Sequence, residues 1–489
     1  MAEFIVAIEL GSSKITGIAG KKNPDGSVKV LAVVKEDSTE CIRNGVVYKF
    51  DKIRQCLTNI INKLKTTLHS NIAHVYVGVG GQSIRSVKNV IVKELTPDTI
   101  ISSNDIAELM DDNRNMVYPD QEILDAITQE YRVDSQLQAD PVGIQARRLE
   151  GNFLNILWRK TFYRNLNKCF DTAHIAIAEM YLAPLALADA VLSEAEKRGG
   201  CVLIDLGADT TTVSVYYKNI LRHLAVIPLG GANITRDITS LQMEEPEAEH
   251  MKLKYGSAYT DSKKIDRSLM LPIDQDRQVE SGKFIEIVEA RTEEIIENAW
   301  FQVPQEYADK LLGGIVLTGG GSNMKNIDVA FRNHTHIERI RIAKFVNFSV
   351  SSNDQEINAK NGMMNTVLGL LYKGDMNCAG NELNSTNDLF GQTDSTPTTG
   401  TTEDIHKRPR DLGDTAGTGV VLTAAEKKKA EEERQREIEA EKERMRQEEE
   451  ERRKAEEERR KNNIFRRGWR EMKTFFKTVA SPEDEERQK

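Results

Sequence analysis

Three short turns rich in glycine and small hydroxyl residues carry the clearest chemistry in this sequence. The first joins two apolar runs in FIVAIELGSSKITGIAG, and its residues are Gly11, Ser12, Ser13 and Lys14. Backbone N–H groups and small hydroxyls at such a turn can bind phosphate, because no large side chain blocks the approach. The segment therefore predicts a phosphate-binding hairpin, although many ordinary hairpins contain similar residues.

Two later segments repeat the pattern. In CVLIDLGADTTTVSVYYKN an apolar run ends at an acidic residue and a glycine, followed by threonines, with Asp205, Gly207, Thr210 and Thr211 as candidates. In GGIVLTGGGSNMKNI a strand-like run meets Gly319, Gly320, Gly321 and Ser322, where the backbone could pass close to a flat ligand near a helix N-terminus. Each turn alone could be structural, but three in this order favour a nucleotide site.

The elements that must position these turns follow from the hydrophobic pattern. Residues 1 to about 375 alternate strand-like apolar runs with amphipathic stretches, which predicts an α/β fold built in layers. Residues 377–423 are rich in Asn, Ser, Thr, Gly and Asp and predict a flexible, disordered linker. Residues 424–461 are almost wholly Glu, Lys, Arg, Ala and Gln without an apolar heptad seam, which predicts a charged single helix rather than a coiled coil.

The last segment, 462–489, has the pattern of an amphipathic helix. Its large apolar residues recur at spacings of three and four and share one face: Phe465, Trp469, Met472 and Phe476. Basic residues occupy the flanks and the opposite side: Arg466, Arg467, Arg470, Lys473 and Lys477. Aromatic bulk with basic flanks favours a helix lying in the headgroup plane of an anionic membrane. The alternative is a helix that packs on the globular part.

Composition excludes several classes of protein. The 489-residue chain has a net charge of -9, which does not suggest nucleic-acid binding, and it contains no stretch of about twenty apolar residues. The first residues lack the pattern of a signal peptide, so a cytoplasmic chain is expected. Five scattered cysteines without CxxC spacing argue against disulfides and a zinc site. The pair His334 and His336 could bind a metal, but we expect a surface segment without a third ligand.

With these segments, the sequence resembles the FtsA family of actin-like bacterial cell-division proteins, within the actin, Hsp70 and sugar-kinase superfamily. The stretch PLGGANITRDIT, which contains Gly230, and the stretch AEHMKLKYG are similar to family segments. AEMYLAPLALADAVLSEAEKRGG and NGMMNTVLGLL resemble the two helices that connect the lobes. AHVYVGVGGQSIRSVKNVIVKEL and the helical ISSNDIAELMDDNRNM after it resemble the family's inserted subdomain.

The resemblance implies an actin-like two-lobed ATPase fold with a small inserted α+β subdomain. Subdomain 1A would comprise residues 1–83 and 166–200, and the inserted subdomain 1C, of the SHS2 type, residues 84–165. Subdomain 2A would comprise residues 201–240 and 311–376, the latter returning to 1A, and subdomain 2B residues 241–310. The site would bind ATP and Mg²⁺, with Glu249 and Lys252 against the ribose and adenine. Glu9 and Asp205 would hold Mg²⁺ through its water shell.

Three departures from the family pattern concern this chemistry. Glu9 stands where the family usually has Asp, and Ala208 and Asp209 replace glycines of the second phosphate turn. Ala183 stands where the superfamily commonly places Gln or Glu to orient the attacking water, and Glu179, one turn earlier on a predicted helix, is the remaining candidate. Since phosphoryl transfer depends on positioning, we expect weak or absent hydrolysis of ATP.

The implied function is that of a cell-division scaffold. The chain would polymerise into actin-like filaments, bind the C-terminal tail of the tubulin-like protein FtsZ and other divisome proteins, and hold them at midcell. The amphipathic segment would attach it to anionic lipid on the inner face of the cytoplasmic membrane. A sugar or acid kinase of the same superfamily is one alternative, and a pilus-type scaffold is another. An Hsp70-like chaperone would need a substrate-binding β domain, which the sequence after residue 376 does not offer.

Overall fold

The computed structural model describes residues 3–96, 99–261, 263, 266 and 268–380. Nearly all of the predicted linker, the charged helix and the amphipathic segment lie outside the described residues. Among the helices that are described, none combines the length and the apolar character needed to cross a bilayer.

Strands of two sheets and two small hairpins make up the β structure. The strands in chain order are β1 (Ile5–Leu10), β2 (Lys14–Lys22), β3 (Val28–Asp37), β4 (Ile42–Arg43), β5 (Val46–Val47), β6 (Val75–Val79), β7 (Arg85–Glu94), β8 (Gln121–Val133), β9 (Gln136–Gln138), β10 (Arg148–Arg159), β11 (Ile177–Leu182), β12 (Cys201–Leu206), β13 (Thr211–Tyr217), β14 (Ile220–Ile227), β15 (Met270–Pro272), β16 (Gln278–Glu280), β17 (Gly314–Thr318), β18 (Ile340–Ile342) and β19 (Val350–Ser351).

Helices cover the sheets and connect them. They are α1 (Phe50–Leu68), α2 (Ser103–Arg114), α3 (Lys160–Thr172), α4 (Ala183–Val191), α5 (Glu194–Gly199), α6 (Gly231–Ile238), α7 (Glu245–Tyr255), α8 (Ser281–Phe301), α9 (Gln305–Ala308), α10 (Ile327–Thr335), α11 (Gln355–Asn358) and α12 (Asn365–Lys373). Short 3-10 turns occupy Thr239–Leu241 and Gly320–Asn323.

The first sheet, which we call the sheet of lobe I, has the order β11-β6-β1-β2-β3-β19. Strands β1 and β2 form the predicted antiparallel hairpin, while β6 runs parallel to both β1 and β11. Helix α1 covers this sheet because Ile53, Leu57, Ile60 and Leu64 recur at spacings of three and four and are all buried. The carboxyl ends of β1, β6 and β11 consequently meet at one edge of the sheet.

The second sheet begins with β18-β17-β12-β13-β14, the strands of lobe II. Strands β12, β17 and β18 are parallel, so the turns after Asp205 and Thr318 lie side by side, with these two residues paired in register. A separate core of buried apolar residues lies between this sheet and the helices α6, α7, α8 and α10, with Phe284 and Phe331 among its largest members. Lobe II therefore brings two of the three predicted turns together.

The inserted subdomain consists of α2 and the strands β7, β10, β8 and β9, which extend the sheet of lobe II beyond β14. The junction is short: Ala225 of β14 pairs with Arg85 of β7, and Val226 N–H donates to the Ile84 carbonyl at 3.2 Å. Its own small core includes Leu109, Leu149 and Phe153. The subdomain thus has a core of its own but shares hydrogen bonds with lobe II.

Two helices pack against each other between the lobes. Helix α4 begins at Ala183 with Pro184 in its first turn and packs along α12. The contact is close, since a Cβ on Gly369 of α12 would stand 2.5 Å from the Ala186 carbonyl oxygen. The prediction that the first of these helices includes residues 178–182 is wrong, because those residues form β11 in parallel pairing with β6.

Candidate nucleotide site

The three predicted turns meet around one cleft of about 2000 Å³ between the two lobes. Nearly all of the residues predicted to bind nucleotide or metal line it: Glu9, Gly11, Ser12, Ser13, Lys14, Asp205, Gly207, Thr210, Thr211, Gly230, Glu249, Lys252, Gly319, Gly320 and Gly321. The exception is Ser322, and Glu179, which was predicted as a catalytic residue, does not line the cleft either. Turns that are up to 310 residues apart in the sequence are therefore brought together by the fold.

The first turn connects β1 to β2 and belongs to lobe I. Gly11 N–H donates to the Lys14 carbonyl at 3.1 Å, and a Cβ on Gly11 would stand 2.7 Å from that same oxygen. The Ser38 hydroxyl donates to the Gly11 carbonyl at 2.6 Å and holds the turn from behind. Glycine is required here by close backbone packing, and two hydrogen bonds fix the shape of the turn.

The second turn repeats this geometry in lobe II. Gly207 N–H donates to the Thr210 carbonyl at 2.9 Å. The start of α6 packs directly on this turn, where Gly231 N–H donates to the Gly207 carbonyl at 3.0 Å and a Cβ on Gly230 would stand 2.4 Å from the Ala208 carbonyl oxygen. Hydrogen bonds from the first N–H groups of α6 thus fix the helix start to this turn, and the turn and the helix start form one unit in the wall of the cleft.

The glycines of the third turn have different roles. Gly319 has a φ of +82°, and a Cβ there would stand 2.3 Å from an Asp205 carboxylate oxygen. Gly321 packs against Leu206, whereas a Cβ on Gly320 would meet nothing within 4 Å. Gly319 and Gly321 thus allow the two turns of lobe II to pack closely, and Gly320 faces open cleft, as a surface for a flat ligand would.

Ser322 was predicted to bind the cofactor, and the structure corrects this. Its side chain is fully buried, and its hydroxyl donates to the Gly319 carbonyl at 2.7 Å. The hydroxyl is used inside the 3-10 turn because residues three apart lie above one another in that geometry. Ser322 therefore shapes the turn and does not face the cleft.

Lys252 joins two helices at the wall of the cleft. Its ammonium group donates to the Gly231 carbonyl at 2.9 Å and to the Thr235 hydroxyl at 2.8 Å, both on α6, and pairs with Glu249 at 2.7 Å on its own helix α7. The Thr235 hydroxyl also donates to the Glu249 carboxylate. Lys252 thus holds α7 against the glycine-rich start of α6, and Glu249 stands beside it at the cleft.

Two carboxylates stand at the base of the cleft, Glu9 near the end of β1 and Asp205 near the end of β12. Desolvation by the surrounding protein and the charge of Asp205 raise the pKa of Glu9 to about 7, against the opposing effect of Lys14 and Lys35. Desolvation raises the pKa of Asp205 to about 6. Two carboxylates that are costly to ionise together fit a divalent cation, and oxygen ligands are those that Mg²⁺ prefers.

Glu179 was predicted to lie on a helix near the terminal phosphate, and this placement is wrong. It lies in strand β11, where its carboxylate accepts a hydrogen bond from the Tyr181 hydroxyl at 2.8 Å. Ala183 and Pro184, at the end of that strand, do line the cleft. Because Glu179 lies four residues earlier in an extended strand, it does not reach the cleft, and its predicted catalytic role is withdrawn.

A fourth segment that lines the cleft was not predicted from the sequence. The hairpin of β4 and β5 turns at Asn44 and Gly45, which contact both phosphate-type turns: Asn44 N–H donates to Asp209 at 3.0 Å and Gly45 N–H donates to the Ser12 hydroxyl at 2.9 Å. The dipeptide Asn-Gly between short apolar runs is a strong hairpin signal, so the turn could have been found. The position of this turn over the cleft could not have been predicted from the sequence.

The histidines near residue 335 also differ from expectation. Ligand atoms of His334, Glu293 and Glu297 lie within 4.8 Å of one another, and His336 is not part of this group, so His334 has acidic neighbours on α8 that the sequence did not indicate. Both glutamates are exposed. Since exposed acidic groups often stand near one another without binding an ion, no metal site is assigned there.

Comparisons with known proteins agree with this arrangement. A model of the cell division protein FtsA matches residues 202–369, and a model of the SHS2 domain inserted in FtsA matches residues 81–157. Cell division protein FtsA of Porphyromonas gingivalis is 32% identical over 340 residues, which is 68% of this chain and 71% of that protein. The chain belongs to the FtsA family.

Further FtsA proteins show the same extent of similarity. FtsA of Neisseria meningitidis is 32% identical over 66% of this chain and 80% of that protein, and FtsA of Bacillus subtilis is 30% identical over 66% and 75%. Among solved structures, a PilM-PilN type IV pilus biogenesis complex superposes with a TM-score of 0.52 at 14% identity, covering 75% of this chain and 97% of that one. The predicted actin-like fold with an inserted SHS2 subdomain is confirmed.

Proposed function

We propose that this member of the FtsA family binds ATP with Mg²⁺ in the interlobe cleft and works as a membrane-attached scaffold for cell division. The observation that carries the nucleotide part is the meeting of three glycine-containing turns around one cleft, with Glu9 and Asp205 at its base. The turns of the two lobes face each other, so one phosphate chain could accept hydrogen bonds from backbone N–H groups of both turns.

Each part of the cleft has a role in this proposal. The turn at Gly11 to Lys14 and the turn at Gly207 to Thr210 bind the phosphates, and the open surface at Gly320 receives adenosine beside Glu249 and Lys252. Glu9 and Asp205 hold the hydrated Mg²⁺, whose charge neutralises the phosphates. The side chain of Ala183, at the end of β11, has no polar atom to orient a water molecule, so hydrolysis would be slow.

The scaffold part rests on family membership and on the sequence beyond the described residues. We propose that the chain forms actin-like filaments and binds the C-terminal tail of FtsZ together with other divisome proteins. The basic amphipathic segment around Trp469 and Phe476 would attach these filaments to anionic lipid at the cytoplasmic face of the membrane, at midcell.

A vesicle flotation experiment with the full chain tests the membrane part. Trp469→Glu with Phe476→Glu should release the protein from vesicles of mixed phosphatidylglycerol and phosphatidylethanolamine, because two large apolar contacts are lost. Thr474→Glu with Thr478→Glu is the matched control, since it adds the same charge on the opposite side of the predicted helix. Equal flotation of the two double variants would contradict the proposal.

A further inference from the structure

Two successive backbone N–H groups at the edge of the cleft donate to side chains of the two phosphate-type turns. Asn44 and Gly45, at the tip of the β4–β5 hairpin, both have positive φ, of 50° and 73°. Asn44 N–H donates to a carboxylate oxygen of Asp209 at 3.0 Å, and Gly45 N–H donates to the Ser12 hydroxyl at 2.9 Å. Backbone N–H groups presented by a turn favour negative charge nearby, and the Asp209 carboxylate supplies that charge at Asn44 N–H, while Gly45 N–H is paired with the neutral Ser12 hydroxyl.

The turn is held rigidly on lobe I. Gln82 N–H donates to the Asn44 carbonyl at 2.8 Å, and the Asn44 side-chain amide donates to Gln82 Oε1 at 3.3 Å. Gly45 packs directly on Gly81, since a Cβ on Gly45 would stand 2.4 Å from the Gly81 Cα. The Asn44-Gly45 turn is therefore built by lobe I alone, while the carboxylate that accepts from Asn44 N–H comes from lobe II.

Asp209 belongs to the second phosphate-type turn, between Gly207 and Thr210. Asp209, Asn44 and Ser12 all line the same cleft, at the place where the two phosphate-type turns face each other. A phosphate group that reached this place would find the N–H group of Asn44 occupied and a carboxylate beside it. Two anions at one site repel each other, and they compete for the same donor.

We propose that Asp209 determines nucleotide specificity by competing with a terminal phosphate for the Asn44-Gly45 turn. This inference rests on the proposed nucleotide site. A nucleoside diphosphate would leave the Asp209–Asn44 contact between the lobes intact. A triphosphate has to displace the carboxylate, so its affinity is lowered relative to that of the diphosphate, and its binding releases one contact between the lobes.

The test compares two affinities in the full chain by calorimetry with Mg²⁺, for ADP and for a non-hydrolysable ATP analogue. Asp209→Gly removes the carboxylate, and Asp209→Asn keeps an oxygen that can accept from Asn44 N–H but removes the charge. Both should lower the ratio of the triphosphate Kd to the diphosphate Kd, by roughly tenfold or more for the lost repulsion of one charge. Asp112→Asn, an exposed residue of α2 in the inserted subdomain, makes the same change of net charge and should leave the ratio unchanged.

The outcomes separate this inference from the proposed function. An unchanged ratio in both Asp209 variants, or an equal loss of affinity for both nucleotides, would overturn the role of Asp209 while the nucleotide site stands. A natural protein that binds neither nucleotide would overturn both. Thermal melting of each variant without nucleotide shows whether the fold is retained, and the two different substitutions provide independent readings of the ratio.

Discussion

Replacement of Gly320 by tryptophan separates the nucleotide site from the stability of the fold. A Cβ on Gly320 would meet nothing within 4 Å, and the residue lines the cleft. A side chain there can therefore extend into the cleft without displacing protein atoms, and the cost to folding should stay within about 1 kcal/mol, as for an ordinary surface substitution. The indole would fill the space that we assign to adenosine.

The expected loss of binding follows from the contacts that the base would lose. Burial of one large apolar group contributes up to about 3 kcal/mol, so Gly320→Trp should weaken ATP binding by roughly 100-fold or more. Isothermal calorimetry with Mg²⁺ measures this directly, and thermal melting without nucleotide reports the fold. Ala139→Trp, at an exposed position of the inserted subdomain, is the matched control and should change neither quantity.

The neighbouring glycine should behave in the opposite way. A Cβ on Gly319 would stand 2.3 Å from Asp205 Oδ1 and 2.6 Å from the Leu206 carbonyl oxygen, at a φ of +82°. Gly319→Ala should therefore destabilise the fold by about 1–3 kcal/mol even in the absence of nucleotide.

If Gly320→Trp bound ATP as tightly as the natural protein, adenosine could not lie over this turn and the reasoning would be refuted.

Two further predictions concern stability and turnover. Burial alone would raise the pKa of Glu196, but hydrogen bonds from Arg341 and from Ser193 lower it to about 2. The ionised carboxylate therefore stabilises the fold at pH values above the unfolded-state pKa near 4.5. This stabilisation is lost as the pH falls through the folded-state pKa of about 2. Glu196→Gln should cost about 2–3 kcal/mol in urea unfolding at pH 7, and a difference that failed to shrink toward pH 3 would contradict this linkage. Ala183→Gln should increase phosphate release from ATP, because an amide at the end of β11 can orient a water molecule, whereas Glu179→Ala should leave the rate unchanged. If the natural protein hydrolysed ATP rapidly and Glu179→Ala abolished this activity, the roles assigned to Ala183 and to Glu179 would both be wrong.

The phosphate-type turns could be read from the sequence because their chemistry is local. A strand, a glycine and small hydroxyl residues specify a tight turn within about ten residues, and the structure has strands on both sides of Gly11 and of Gly207 as predicted. Helix α1 was not singled out from the sequence, but it carries the same kind of local signal, since its buried face repeats every three to four residues. The order and spacing of the turns indicated the superfamily, and the resemblance to the FtsA family rested on further segments, among them PLGGANITRDIT and AEHMKLKYG.

The partners of individual side chains were decided by tertiary structure. Residues 178–182 were assigned to the first connecting helix by resemblance, but parallel pairing with β6 makes them a strand and keeps Glu179 out of the cleft lining. The contact of Asp209 with Asn44 joins residues 165 positions apart, and no local pattern predicts which donor a carboxylate will find at that distance. Periodicity and turn chemistry determine which elements form. Which polar groups then meet across the cleft depends on how the two lobes pack, because hydrogen bonds between distant residues exist only after the elements are in place.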